Sequence, residues 1–552
     1  MSNKKNGSTN FILQGSILAI ASIVSRIIGL IYRIPLISIV GDIGMSYYGC
    51  AFEIYNVLLL ISSFSLPLAV SKLVSASLSN GSRRNAMKIF KGALAFAFVS
   101  GSIAALIVFF GATYITGDIL KTPMAVYALR VLAPTLLIVA VLGAVRGFFQ
   151  GLGTMMPSAF SQIIEQIFNA VVSVLAAYLL ARYGTKYGEA FNDPTHYSAA
   201  FGAAGGTLGT GAGALAGLLF VLFVFMIYKP VFKRMYRKDT DSTEQTYKEI
   251  LFVLAATIIP VLLSTTIYNI SSILDQGIFK NVVIAQGYNT DLVDEYWGIF
   301  TGKYKTLINV PLSIASAMAS SCVPSITRSF QSEDFEDTKR QILSATRFVM
   351  IIAFPCTVGM AVLASPILRL LFGDSSEVAA NMLAAGAVSI IFYSLSTLSN
   401  GLLQGINRMK IPVRNAAIAL VLHIVFLLAL LYGFNLHIFA VIYANAFFAL
   451  CMCVLNELSL KKYSGYQIEI KKTYLIPLFS SVVMGVVTFI LYKTLDMLIG
   501  INFVCTVVSI VVAVIVYGLL MLLLKGLTEE EIVRFPKGRT IAGLLKRIHL
   551  LS

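Results

Sequence analysis

The stretch Arg146-Gly-Phe-Phe-Gln-Gly-Leu-Gly-Thr-Met155, followed by Pro157, is answered later in the chain by Asn400-Gly-Leu-Leu-Gln-Gly-Ile-Asn-Arg-Met409, followed by Pro412. Gly147 and Gly401, Gln150 and Gln404, Gly151 and Gly405, and Met155 and Met409 coincide at an offset of 254 residues. A weaker echo pairs Leu66-Pro-Leu68 with Val310-Pro-Leu312. Self-similarity at a fixed offset marks an architecture built from repeated units.

The sequence around the two copies says what the units are made of. Of 552 residues, 57% are hydrophobic and only 12% charged, with a mean hydropathy of +0.83. A soluble domain carries about twice that share of charge. At roughly 20 residues per membrane-crossing helix, the apolar positions suffice for about fourteen spans. The apolar runs fall at 11–40, 47–77, 88–116, 123–149, 158–182, 199–228, 249–279, 301–326, 340–364, 378–402, 412–433, 436–459, 473–496 and 501–524. The expected fold is an all-α polytopic membrane protein with fourteen transmembrane helices. The repeat copies lie six spans apart, an even number, so both share one orientation. That predicts two six-helix lobes related as parallel repeats, plus two extra C-terminal helices. The expected division is 1–240 with a basic linker at its end, 241–460, 461–524, and a basic amphipathic tail at 525–552 lying on anionic lipid.

The net charge of +16 fits this layout. Basic residues gather in alternate short loops, among them Arg83, Arg84, Lys229, Lys233, Arg408, Lys410, Lys461 and Lys462. Cytoplasmic loops carry such an excess, which places both termini on the cytoplasmic side. No basic run is interleaved with aromatics, so nucleic acid is not expected as a partner. The six cysteines and four histidines are scattered, with no C-x-x-C pair, which predicts neither a disulfide framework nor a metal site. The N-terminus has no small-residue cleavage site, so the first span is expected to stay in place. No phosphate-binding loop, catalytic triad or H-E-x-x-H occurs, and the chain is not expected to be an enzyme.

Polar residues inside spans are costly and usually face a cavity. Ser22, Arg26, Gly29 and Arg33 form one stripe at the helical period on the first span, with Arg26 near mid-depth. Pro35 is expected to bend its outer end. Glu53 and Asn56 share a face of the second span; Gln162, Glu165 and Asn169 mark the fifth, and Ser271 and Asp275 the seventh. Lys303, Lys305 and Asn309 mark the eighth, and Ser389, Tyr393, Ser396 and Asn400 the tenth. Together these faces predict a water-filled cavity. Arg26 could also pair with Glu53 or Glu165 as a structural ion pair, and Lys303 and Lys305 could serve only as anchors.

The segments Gln14-Gly-Ser-Ile-Leu18, Ser25-Arg-Ile-Ile-Gly-Leu30, Tyr47-Tyr-Gly-Cys-Ala-Phe-Glu-Ile-Tyr-Asn56 and Leu66-Pro-Leu-Ala-Val-Ser-Lys72 resemble the MOP flippase superfamily. The likeness is to its polysaccharide-biosynthesis branch, which holds the MurJ-like lipid II flippases and the stage V sporulation protein B group. The resemblance implies two lobes around a cationic cavity, a groove for a polyprenyl tail at the last two helices, and alternating access. It also implies that Arg26 is an essential cavity arginine. The sequence departs from the family pattern at Tyr32, where the next arginine falls beside Arg33, and at Leu59 or Leu60, where a second-span arginine is expected.

The expected function is translocation of an undecaprenyl-pyrophosphate-linked sugar precursor from inner to outer leaflet of a bacterial plasma membrane. Arg26, Arg33, Glu53, Asn56, Lys303, Lys305 and Asn309 are the expected headgroup contacts. Glu165 and Asp275 are candidate sites for a coupling cation, Na+ or H+, with the membrane potential as a further driving force. Besides the lipid-linked glycan, the expected partners are membrane lipids and envelope-synthesis proteins. The competing readings are a cation-coupled multidrug exporter of the same superfamily and a non-transporting scaffold.

Overall fold

A computed structural model describes residues 2–60, 66–237 and 246–526; the expected tail helix lies outside them but for its first residues, 525 and 526. Every regular element among the described residues is helical. Among the described residues, eleven helices are long and apolar enough to cross a membrane, or twelve if the pair Glu377–Gly386 and Ser389–Gly405, bent by 43°, is one span. Fourteen were expected. The first two expected spans share one run of helical hydrogen bonding, interrupted by a kink at Gly41, beyond Pro35. Gly41 takes φ 71° and ψ 175°, a conformation that glycine alone adopts without a Cβ penalty. The seventh expected span lies within the helix Tyr247–Ala285.

Packing divides the chain into two units, Met1–Gly302 and Lys303–Ser552, whereas the repeat points to a boundary at 240/241. The first unit holds α1 (Ser2–Leu59), α2 (Leu66–Ser79), α3 (Arg83–Thr113), α4 (Val126–Gly151), α5 (Met156–Glu189), α6 (Pro194–Arg237), α7 (Tyr247–Ala285) and α8 (Thr290–Gly298). Its longest interface joins α5 to α6. Gly205, Gly209 and Gly213 lie on one face of α6, and a Cβ at any of them would strike the backbone of α5 at Ala176, Ser173 or Glu165. In hydrocarbon, where no hydrophobic force separates helix from lipid, such small-residue stripes let dispersion hold two helices at close range. The stripe fixes α5 so that Gln162, Gln166 and Asn169 face α1.

The second unit holds α9 (Lys305–Gln331), α10 (Phe335–Val362), α11 (Ala364–Phe372), α12 (Glu377–Gly386), α13 (Ser389–Gly405), α14 (Lys410–Gly433), α15 (Ile438–Ser464), α16 (Ile476–Ile499) and α17 (Asn502–Leu523). The α16–α17 hairpin packs on α10, where Tyr517 Oη donates to the Ile351 carbonyl at 2.7 Å and Arg347 Nη2 to the Gly526 carbonyl at 2.9 Å.

The two repeat copies do equivalent work inside their own units. Gly147 and Gly151 seat α4 on α2, against Pro67 and Val74. Gly401 and Gly405 seat α13 on α9, against Ala319 and Ile326. The seats differ in hardness: a Cβ on Gly147 would lie 2.6 Å from the Pro67 carbonyl oxygen, whereas one on Gly401 would meet the Ala319 side chain at 2.9 Å. Overpacking against a rigid backbone costs about 1–3 kcal/mol, while Gly→Ala in a helix recovers up to about 1 kcal/mol. Gly147→Ala should therefore destabilise by about 1–2 kcal/mol, and Gly401→Ala by less than half of that, as read from detergent-solubilised unfolding curves.

Candidate functional site

The stripe on α1 meets α5 through polar contacts. Ser22 Oγ donates to Gln162 Oε1 at 3.3 Å, Gly29 lies opposite Gln166, and Asn169 Nδ2 donates to the Tyr32 hydroxyl at 3.3 Å. Asn169 in turn accepts from Ser173 Oγ at 2.9 Å. Two of the four stripe residues, Ser22 and Gly29, are thus part of a helix–helix seam. Arg26, on the flank of that seam, is exposed. Arg33 is half-buried, hydrogen-bonded with Tyr32 and facing Tyr48. Glu53 and Asn56, on the same helix beyond the kink, are both half-buried.

Glu165 has a partner that the sequence reading did not foresee. Arg146 Nη2 bonds Glu165 Oε2 at 2.7 Å, and its Nε donates to Ser161 Oγ at 2.7 Å. Arg146 opens the first repeat copy. Asn400 opens the second, and its Oδ1 accepts from Asn456 Nδ2 at 2.7 Å; Asn456 Oδ1 accepts from Asn415 Nδ2 at 2.9 Å. In both units the motif therefore starts with a polar side chain tying its helix to later ones, and that shared position was the available signal. Asp275 is buried on α7 at 2% exposure.

In the second unit Lys303 is buried and donates to Asp374 Oδ2 at 2.7 Å, in the turn after α11. Lys305 is half-buried and Asn309 exposed. Of the three expected eighth-span contacts, Lys303 is thus placed in an internal ion pair. Burial works against the Asp374 charge, but the hydrogen bond from Lys303 and that from the Ser376 N–H outweigh it, holding the carboxyl below its usual range.

The largest feature missed in the sequence is a buried network at one end of the first unit. Lys280 Nζ on α7 donates to Thr122 Oγ1 at 2.7 Å, to Ser46 Oγ at 2.9 Å and to Asp294 of α8, forming an ion pair. Gln276 Nε2 also reaches Thr122 Oγ1 at 3.3 Å. Lys280 is fully buried. Nothing in the spacing of Ser46, Thr122, Lys280 and Asp294 announces this cluster, because its members come from four separate segments.

A family described as "Polysaccharide biosynthesis protein" matches residues 12–330, and a second, MatE, matches 304–428. The chain is 27% identical over 492 residues to the lipid II flippase MurJ of Bacillus subtilis (strain 168), covering 86% of this chain and 87% of that one. It is 23% identical over 414 residues to stage V sporulation protein B of the same organism, covering 74% and 75%. Among solved structures, a lipid II flippase MurJ in an inward closed conformation superposes with a TM-score of 0.64 at 17% identity, covering 91% and 97%. An inward-facing multidrug resistance MATE transporter of the MOP superfamily gives 0.65 at 15% identity, covering 82% and 96%.

Two outcomes test the ion pairs. Lys280→Met leaves a buried carboxylate without its cation and should cost about 3–5 kcal/mol, whereas Lys280→Met with Asp294→Leu should recover most of that loss. For Asp374 the sign follows from its depressed value. Its contribution is present in full above the ordinary carboxylate range and disappears as pH falls through the lower folded value. Asp374→Asn should therefore flatten the acid limb of a stability–pH profile measured between about pH 2 and 5.

Proposed function

Because the chain belongs to the polysaccharide biosynthesis protein family, in the MurJ-like group of the MOP superfamily, we propose that it is a flippase for a lipid-linked pyrophosphate-sugar precursor. In this reading it works in the plasma membrane with both termini cytoplasmic, carrying the headgroup from inner to outer leaflet by alternating access. The observation that carries the reading is the exposed Arg26, a guanidinium held midway along an apolar span while its stripe neighbours Ser22 and Gly29 pack on α5.

A pyrophosphate cannot enter hydrocarbon with its charges uncompensated. Arg26, with Arg33 as second contact, supplies charge-assisted and bidentate bonds to phosphate oxygens. Glu53, Asn56, Lys305 and Asn309 offer polar contacts to the sugars, and the lipid tail stays in the bilayer. Each negative charge moved outward gains about 2.3 kcal/mol per 100 mV of inside-negative potential, so a potential alone biases direction. Asp275, buried on α7, is the candidate for a coupling Na+ or H+, because Glu165 is engaged by Arg146. Fourteen spans in two parallel six-helix lobes plus two helices suit this cycle, and the matching glycine seats of α4 on α2 and α13 on α9 support that layout. The partners implied are the envelope-synthesis proteins that make and consume the precursor.

A cation-coupled exporter is the second reading, favoured by the MatE match over residues 304–428. A cationic substrate would be repelled by Arg26. A scaffold with no transport of its own would leave translocation unaffected by any cavity substitution. Reconstitution in liposomes with a fluorescent lipid pyrophosphate-sugar separates the three. Charge-assisted hydrogen bonds are worth about 1.5–3 kcal/mol, so Arg26→Ala should lower outer-leaflet exposure by about 10- to 100-fold, with Arg26→Lys recovering part. Full activity in Arg26→Ala, with unchanged expression and melting temperature, would falsify the phosphate-binding role.

A further inference from the structure

At the same end of the first unit as the Lys280 network, a second acid–base cluster joins two elements far apart in sequence. We propose that Asp193, His196 and Asp291 form a proton-binding site whose occupancy ties α8 to the turn between α5 and α6. The inference stands on this geometry and does not depend on the headgroup reading above.

His196 Nδ1 lies 2.7 Å from Asp193 Oδ1, and Nε2 lies 3.0 Å from Asp291 Oδ1. A carboxylate oxygen only accepts, so each of these contacts needs a proton. A neutral imidazole supplies one N–H, and its other nitrogen would set a lone pair against an oxygen lone pair. The three groups therefore hold two protons between them with a net charge of −1, most simply as an imidazolium between two carboxylates. When pH rises, one proton leaves to water and the cluster reaches −2. One of the two hydrogen bonds then becomes a repulsion between facing lone pairs.

The surroundings leave the histidine as the group that titrates. On α8, Asp294 is matched by Lys280. On α1, Tyr47 lies close enough to feel the charges of Asp193, Asp291 and Asp294, and Tyr197 of α6 packs on Tyr187. The imidazole is the group whose ordinary range falls between pH 5 and 8. The His196, Asp193 and Asp291 side chains are 25%, 38% and 54% exposed, so water delivers and removes the proton directly.

The proton matters because α8 is short and anchored at both ends. Its last turn is fixed by Trp297, fully buried, stacked on Phe279 at 5.7 Å and tilted against Phe300 at 5.1 Å, and by Gly298 against the Asp42 carbonyl. Its first turn is held to the α5–α6 turn through Asp291. Releasing that contact frees the N-terminal half of a nine-residue helix while the network below keeps its partners.

In the full chain in nanodiscs, amide hydrogen exchange over the N-terminal half of α8, corrected for its intrinsic pH dependence, should quicken about twofold or more between pH 5.5 and 8.5. His196→Gln should make the profile flat. Asp291→Asn should move the midpoint down by about one pH unit or more, since an opposing charge at this range shifts a titration by 1–3 units. A flat profile in the unmodified protein, or one unchanged by His196→Gln, overturns the proposal. Should His196→Gln fail to fold, the Asp291→Asn midpoint decides alone: an unmoved midpoint sinks the site.

Discussion

A charge inside a bundle of membrane-length helices has no bulk water to solvate it, so an opposite charge or a set of donors must meet it within the protein. The energies involved are large: an effective penalty of several kcal/mol per ion survives even after relaxation, and attraction across a low dielectric offsets it only with good geometry. Three pairs obey this constraint within their own units, Arg146 with Glu165, Lys280 with Asp294, and Lys303 with Asp374. Two of them join consecutive helices while Lys303 with Asp374 reaches across 71 residues, and each comes with hydroxyl or backbone groups that complete the shell around the ions. The placement of α4 on α5, of α7 on α8, and of the start of α9 near the α11 turn follows from these matches as much as from apolar contact.

This constraint also explains which site residues could be read from the sequence. Polarity within an apolar run is visible one residue at a time, so Arg26, Glu165, Asp275 and Lys303 stood out immediately. Pairing is not visible, because partners such as Arg146 and Asp374 lie on other elements and carry no spacing signal. Lys303 therefore had the same signature in one dimension as Arg26, although one is buried against a carboxylate and the other is exposed. Ser46 and Thr122 were invisible for a second reason. Single hydroxyls are common in membrane helices, and only the ammonium of Lys280 placed between them gives them a role.

The fold was legible at the level where periodicity and composition act. Most of each apolar run lies in helix where residues are described, with a break at Ala387 and Val388 in the tenth, and the glycine pairs of the repeat have the same packing task in each unit. Breaks were harder to see than runs. The kink falls at Gly41 rather than Pro35, because a proline near the end of a helix can keep helical dihedrals while glycine alone tolerates the positive φ that reverses the chain. α7 packs on α1, α2 and α3, and such packing partners are set by side-chain fit that no repeat offset encodes.

The two kinds of charge in the first unit have different consequences for a moving protein. A pair sealed in dry packing, such as Lys280 with Asp294, cannot open without exposing two unsolvated ions, so it holds its helices as one body. A cluster at the rim, such as His196 with its two aspartates, can exchange a bond for water at little cost. An exposed arginine halfway along a span is a third case, because its charge is tolerable only where water or an anion can reach it. The alternating-access cycle proposed above would draw on all three: a rigid body that turns, a contact that can release, and a charge that a cargo can answer. Sealed pairs such as Lys280 with Asp294 keep their helices together, while the exposed groups keep their access to water.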